Sequence, residues 1–195
     1  MDFLVDQVGT PGAATALELA LVLQADLPRW LSQVDLEGHE RGDVPGEVLL
    51  GRIAGMATRL LDLDELRTHW LSMFEPWDEM FTLASGLKAD YRVYLLSNIG
   101  DMHWAHLDSL YGLDALVHGA CASFRVGAVK PHADIYRKAE LMFELDPAAT
   151  VFLDDLLPNV AGARECGWQA IHHIDAGSTR SQLRALGVRL PAPFT

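Results

Sequence analysis

Cysteine is scarce in this chain: there are two, Cys121 and Cys166, and neither belongs to a C-x-x-C pair. A pair of free, buried thiols in a reducing cytoplasm is expected. Cations are also in short supply. Lys+Arg number 15 against 27 Asp+Glu, a net charge of −12. That balance excludes the usual nucleic-acid binder, which neutralises phosphates with basic residues, and an anionic membrane surface. Long apolar runs are missing too. The stretch from Ala13 to Leu23 is interrupted by Glu18, so no transmembrane helix is expected. The first residues, Met1-Asp2-Phe3-Leu4-Val5-Asp6, carry acids where a signal peptide carries bases, and a cytoplasmic location is expected. Gly (16) and Pro (9) are too few for a collagen-like or linker-like chain.

What is present is apolar material: 50% of the 195 residues are hydrophobic and 22% charged, enough to bury a core. Its patterning changes along the chain. Phe3-Leu4-Val5 is a short run closed by Asp6 and Gly9-Thr10-Pro11-Gly12, which reads as a buried strand ending in a loop. From about Ala14 to Phe81 the periodicity is helical, with Leu17, Leu21, Leu27, Leu31, Val48, Leu49, Ile53, Met56 and Leu60 recurring at three and four spacing. Asp64-Glu65 open a further helix that carries Leu66, Trp70 and Phe74.

Strand-like runs then return. Val93-Tyr94-Leu95-Leu96 is closed by Ser97-Asn98, Val151-Phe152-Leu153 by Asp154-Asp155, and Ala170-Ile171 lies in a third run. A weaker run, Ala115 to Ala122, precedes Gly127 and Lys130-Pro131. Helical patterns over Trp104–Tyr111, Ala133–Glu144 and Val160–Glu165 separate them. Such alternation predicts an α/β fold, a Rossmann-like doubly wound parallel sheet. Residues 1–14 and 82–195 would form the core, and residues 15–81 a small helical cap inserted after the first strand.

Open parallel sheets bind ligands beyond the carboxyl ends of their strands. The residues after each run are therefore the candidate site: Asp6, then Ser97 and Asn98, then Lys130 across a loop, then Asp154 and Asp155 with Asn159 one helical turn on. Two carboxylates such as Asp6 and Asp155 repel unless a cation lies between them, and Mg²⁺ takes oxygen ligands of this kind. Lys130 offers a compact charge for a phosphoryl oxygen, and Ser97 and Asn98 neutral donors. An aspartate can then attack phosphorus and form an acyl phosphate. Of the adjacent acids, a regular strand points one to each side; Asp155 is expected at the metal and Asp154 beside Lys130. Each residue also has a plainer reading. Ser97-Asn98 are good helix caps, Pro131 suits the first turn of a helix, and His103 and His106 read as surface or capping residues. Trp30, Trp70, Trp77 and Trp104 read as packing aromatics, and His172 and His173 as structural.

Together, Leu95-Leu96-Ser97-Asn98, Val129-Lys130-Pro131-His132-Ala133-Asp134-Ile135-Tyr136, and Val151-Phe152-Leu153-Asp154-Asp155 with Asn159, Ala163 and Cys166-Gly167 resemble three motifs of the haloacid dehalogenase superfamily. The flavour, including His39-Glu40-Arg41-Gly42-Asp43-Val44, is similar to the branch holding the N-terminal phosphatase domain of soluble epoxide hydrolase and bacterial sugar-phosphate phosphatases.

The resemblance implies a Mg²⁺-dependent hydrolase acting on a small phosphorylated metabolite; the charge balance implies no nucleic-acid or membrane partner. It makes Asp6 the nucleophile and Ser97, Asn98 and Lys130 the phosphate contacts. Asp6, Asp155 and the backbone carbonyl of Val8 become metal ligands, supported by Asp154 and Asn159. The first motif departs from the usual D-x-D-G-T: it reads Asp6-Gln7-Val8-Gly9-Thr10, and valine cannot move a proton. A 2-haloacid dehalogenase, whose halide leaves without a proton, and a catalytically impaired binding protein are the alternatives.

Overall fold

The structure, a computed structural model, describes residues 2–5, 33–56, 61–74 and 77–190. Asp6, Val8, Trp30 and the helical periodicity expected before residue 33 lie outside the described residues. Five strands form one sheet: β1 (Asp2–Val5), β2 (Arg92–Ser97), β3 (Ala120–Ala122), β4 (Thr150–Asp154) and β5 (Gln169–His172). Their spatial order is β3-β2-β1-β4-β5 and every neighbouring pair is parallel. The chain therefore builds one half of the sheet outward from β1 and the other half from β4 on its opposite side. The strand order reverses between β1 and β4, where open α/β sheets place their ligands.

The register brings the strand ends into line. Val5 lies beside Leu95 of β2 and Leu153 of β4, and Ser97 pairs with Ala122 at the end of β3. Alternation along β2 and β4 feeds two separate cores. Val93, Leu95, Val151 and Leu153 pack on one face under α4 (Asp78–Leu87), α5 (Asp101–Tyr111) and α10 (Ala176–Ala185). Tyr94, Leu96 and Phe152 pack on the other face under α8 (Ala133–Phe143) and α9 (Leu157–Glu165). Leu96 and Phe152 are fully enclosed, and burial of side chains this size contributes about 1.5–3 kcal/mol each.

Between β1 and β2 lie α1 (Leu36–Arg41), α2 (Gly46–Met56) and α3 (Leu63–Leu71), with their own core of Val34, Val44, Leu49, Leu50, Ile53, Leu66 and Trp70. Local signals set their ends. The Asp62 carboxylate accepts from the Asp64 and Glu65 amides at the start of α3, and Gly42, at φ 88°, closes α1 in the left-handed region that glycine tolerates. No helix among the described residues is long and apolar enough to cross a membrane.

Several expectations need correction. Of the run from Ala115 to Ala122, Ala115 and Leu116 lie in the short helix α6 (Leu113–Leu116), and only Ala120–Ala122 form a strand beside β2. The run is apolar because Leu116 and Val117 pack on the core from a helix and from the loop after it. Pro131 does not open α8, whose first residue is Ala133 with His132 as cap. Ser97 and Asn98 do not cap α5; Gly100 does. His103 is buried rather than on the surface: its Nε2 donates to the Trp70 carbonyl at 2.7 Å, and its ring lies 5.0 Å from that of Trp70 and 4.6 Å from that of Phe74. Cys121 and Cys166 are free and buried, as expected.

Candidate active site

The expected residues on β2 and β4 and in the Lys130 loop converge at the carboxyl rim of the sheet. Lys130 reaches the site from the loop between α7 (Ser123–Val126) and α8, and its side chain is completely enclosed. Its Nζ donates to Asp154 Oδ2 at 2.8 Å and to the Leu96 carbonyl at 3.1 Å, and sits 5.5 Å from the Phe152 ring centroid. Burial pushes the ammonium below the ordinary lysine range, and the Asp154 carboxylate opposes that shift.

Asp154 is the last residue of β4 and is fully enclosed. Besides Lys130 it accepts from the Leu156 amide at 2.8 Å and from Asn159 Nδ2 at 3.0 and 3.1 Å. Both of its oxygens are therefore committed. Asn159 is placed by the first turn of α9, and the Tyr136 hydroxyl holds its carbonyl at 2.7 Å. Gly162 lets α9 approach the Lys130 loop, since a Cβ there would collide with the Pro131 carbonyl.

Asp155 behaves differently. It is half-buried, its carbonyl accepts from His172 Nε2 at 2.8 Å, and its carboxylate takes no hydrogen bond from the described residues. One acid is thus spent on Lys130 while its neighbour keeps its oxygens open at the rim. A hard divalent cation fits that donor chemistry.

Ser97 is buried and its hydroxyl has no partner among the described residues. Asn98 is turned toward the Lys130 backbone. The Lys130 amide donates to Asn98 Oδ1 at 2.8 Å, and Asn98 Nδ2 donates to the Lys130 carbonyl at 3.0 Å. This two-point clamp fixes the lysine loop to the end of β2. Asp6 follows Val5, the residue of β1 that lies between Leu95 and Leu153.

One further residue joins α1 to the rim. Ser123, fully buried, accepts from the Ile99 amide at 2.9 Å and lies within hydrogen-bond reach of the Ile99 carbonyl at 3.1 Å and the Glu40 carbonyl at 2.6 Å. It ties α1 to the segment that follows Asn98. Its signal is its place: it is the first polar residue after the run ending at Ala122, and the lysine farther along draws attention past it.

The haloacid dehalogenase-like hydrolase model matches residues 5–167. The chain belongs to that family. As a haloacid dehalogenase-like hydrolase it is an enzyme of bond cleavage by water. It is 24% identical over 154 residues to a D-ribitol-5-phosphate phosphatase of Bacteroides thetaiotaomicron, covering 75% of each chain. It is 31% identical over 112 residues to a sesquiterpene phosphatase of Aspergillus oryzae, covering 57% of each. Among solved structures, a family member from Bacteroides thetaiotaomicron in complex with magnesium and inorganic phosphate superposes with a TM-score of 0.80 at 22% identity, over 93% of this chain and 98% of that one. An L-2-haloacid dehalogenase of Xanthobacter autotrophicus gives a TM-score of 0.61 at 17% identity, over 94% and 82%. These two structural likenesses concern the fold.

Proposed function

We propose that this hydrolase is a Mg²⁺-dependent phosphatase of small phosphorylated metabolites that works through an aspartyl phosphate on Asp6. One observation carries the reading: a buried ammonium, Lys130, is locked to Asp154 while the adjacent Asp155 carboxylate takes no hydrogen bond from the described residues, at the end of the strand beside the one leading into Asp6. The phosphatase names of two relatives, and the magnesium and phosphate held by a protein of the same fold, support it.

In this reading the Asp6 carboxylate attacks phosphorus and Ser97 donates to a phosphoryl oxygen. Lys130, placed by the Asn98 clamp, offsets charge on another oxygen. Asp6, Asp155 and the Val8 carbonyl hold the ion, with Asp154 and Asn159 behind them. When bound, Mg²⁺ supplies positive charge to the transferring phosphoryl group. Residues 1–14 and 82–195 are the catalytic core, and residues 15–81 a cap that excludes bulk water from the cleft. The protein works in the cytoplasm.

The test is hydrolysis of p-nitrophenyl phosphate and of a sugar- and polyol-phosphate panel, with and without Mg²⁺, by wild type and Asp6→Asn. Metal-dependent turnover lost in Asp6→Asn is expected. Equal rates for the two proteins, or chloride release from 2-chloropropionate without metal, overturn the reading.

A further inference from the structure

The alcohol released from a sugar or polyol phosphate is a poor leaving group unless its oxygen receives a proton as the P–O bond breaks. The rim described so far holds no donor for it. Asp6 must be ionised to attack, Asp154 is bonded on both oxygens, and Lys130 is held by Asp154 and Leu96. Gln7 and Val8, which follow Asp6, carry no acid.

One residue with an acid side chain, Glu40, has its backbone fixed near that rim. α1 is pinned to the core at three points around Glu40. The Ser123 hydroxyl lies 2.6 Å from the Glu40 carbonyl and 2.9 Å from the Ile99 amide, so Glu40 sits one hydroxyl away from the segment that follows Asn98. His39 rests on Gly100, where a Cβ would collide with its ring, and Gly42 rests on the Phe124 carbonyl. Glu40 itself is half-buried, and its carboxyl makes no hydrogen bond or ion pair with the described residues. The charged groups on the elements around it are engaged elsewhere. Arg41 pairs with Glu37 and Asp43, Arg125 of α7 lies over the Trp104 ring, and Asp101 of α5 accepts from the Gly46 amide. On α2, Arg52 pairs with Asp35 and Glu47 with Arg67.

We propose that Glu40 is the proton donor to the leaving-group oxygen and, in the second half-reaction, the base for the attacking water. The proposal rests on the phosphatase reading of Asp6. In the first step an Asp6 oxygen forms a bond to phosphorus while the bond from phosphorus to the substrate oxygen breaks. The Glu40 carboxyl proton passes to that oxygen, and the free alcohol leaves. In the second step a water oxygen attacks phosphorus, its proton goes to the Glu40 carboxylate, and the bond to Asp6 breaks with its electron pair left on Asp6. Inorganic phosphate departs and both acids return to their starting states. Burial, with the nearby charge of Glu37, pushes the Glu40 carboxyl up to about 7, so an appreciable share carries a proton at neutral pH.

The experiment compares two esters in one protein sample in the presence of Mg²⁺: the sugar or polyol phosphate that wild type turns over best, and p-nitrophenyl phosphate, whose phenolate leaves unaided. Glu40→Gln should lose about 10²–10⁴-fold in kcat/KM on the alkyl ester and little on the aryl ester. The alkyl pH profile should also lose its decline above the Glu40 pKa. The ratio between the two esters does not depend on how much protein is folded. Glu40→Asp should recover part of the loss, and Glu37→Gln, on the exposed side of the same helix, should keep the wild-type ratio between the two esters. Equal losses on both esters, or none on either, overturn the proposal. Asp6→Asn tests the underlying reading separately: if it keeps its activity the phosphatase reading fails, whereas an inert Asp6→Asn beside a normal Glu40→Gln removes Glu40 alone.

Discussion

Lys130 Nζ donates to Asp154 Oδ2 at 2.8 Å, and neither side chain is exposed to solvent. A buried pair of this kind is costly to break, because the partner left behind keeps its charge without compensation. Lys130→Met is therefore expected to destabilise the fold by about 3–5 kcal/mol as well as abolish turnover. Replacing both residues, as in Lys130→Met with Asp154→Leu, should cost less than the sum of the single changes. Urea unfolding of the four proteins checks this; strict additivity would contradict it.

Asp155 gives a contrasting prediction, because its carboxylate is bonded by none of the described residues. Asp155→Asn should leave the unfolding midpoint close to wild type and raise the half-saturating Mg²⁺ concentration by more than about tenfold, the lower end of what losing even a supporting contact costs. Chelation should abolish wild-type turnover and added Mg²⁺ restore it. A magnesium titration of initial rates provides the check.

His103 makes stability depend on pH. Burial pushes its imidazole down to about 4 from an ordinary value of 6.5. The unfolded chain takes up a proton below 6.5 and the folded chain does not until about 4, so folding stability is full above 6.5 and falls as the pH drops through that window. The total effect is about 3 kcal/mol at about 1.4 kcal/mol per unit. Unfolding free energies measured between these limits should fall less steeply in His103→Gln. An unchanged slope would remove His103 as the source.

Gly100 caps α5 at φ −88°, a value that alanine adopts freely, so its role is space rather than backbone freedom. A Cβ there collides with the His39 ring, which is held by its Nδ1 at 2.8 Å from the Val44 carbonyl. Gly100→Ala should cost about 1–3 kcal/mol through overpacking and lower kcat/KM by shifting α1. Pairing it with His39→Ala, which empties the space, should restore part of the stability. Thermal melts and steady-state rates on the same samples decide this.

The runs at Val93–Leu96 and Val151–Leu153 could be read as strands because both of their faces are buried, which leaves an unbroken apolar signature in the chain. β3 was harder to place. It is three residues long, and the apolar side chains before it belong to a helix, so its composition says little about its pairing. Asp154 and Asp155 were separable by strand alternation alone, because adjacent side chains point to opposite sides. Asn98 was recognisable as a rim residue, but its clamp on the Lys130 backbone joins positions 32 apart.

The amino-acid order by itself determined the parallel α/β sheet, the rim of Ser97, Asn98, Lys130, Asp154, Asp155 and Asn159, and the family resemblance, since each is written in short-range periodicity or in the residues that close a strand. Only the tertiary structure decided which rim side chains are spent on one another, that His103 is enclosed against Trp70, and that Ser123 fastens Glu40 to the segment after Asn98. Those facts depend on contacts between distant elements, and periodicity reports which face of an element is buried without saying what lies against it.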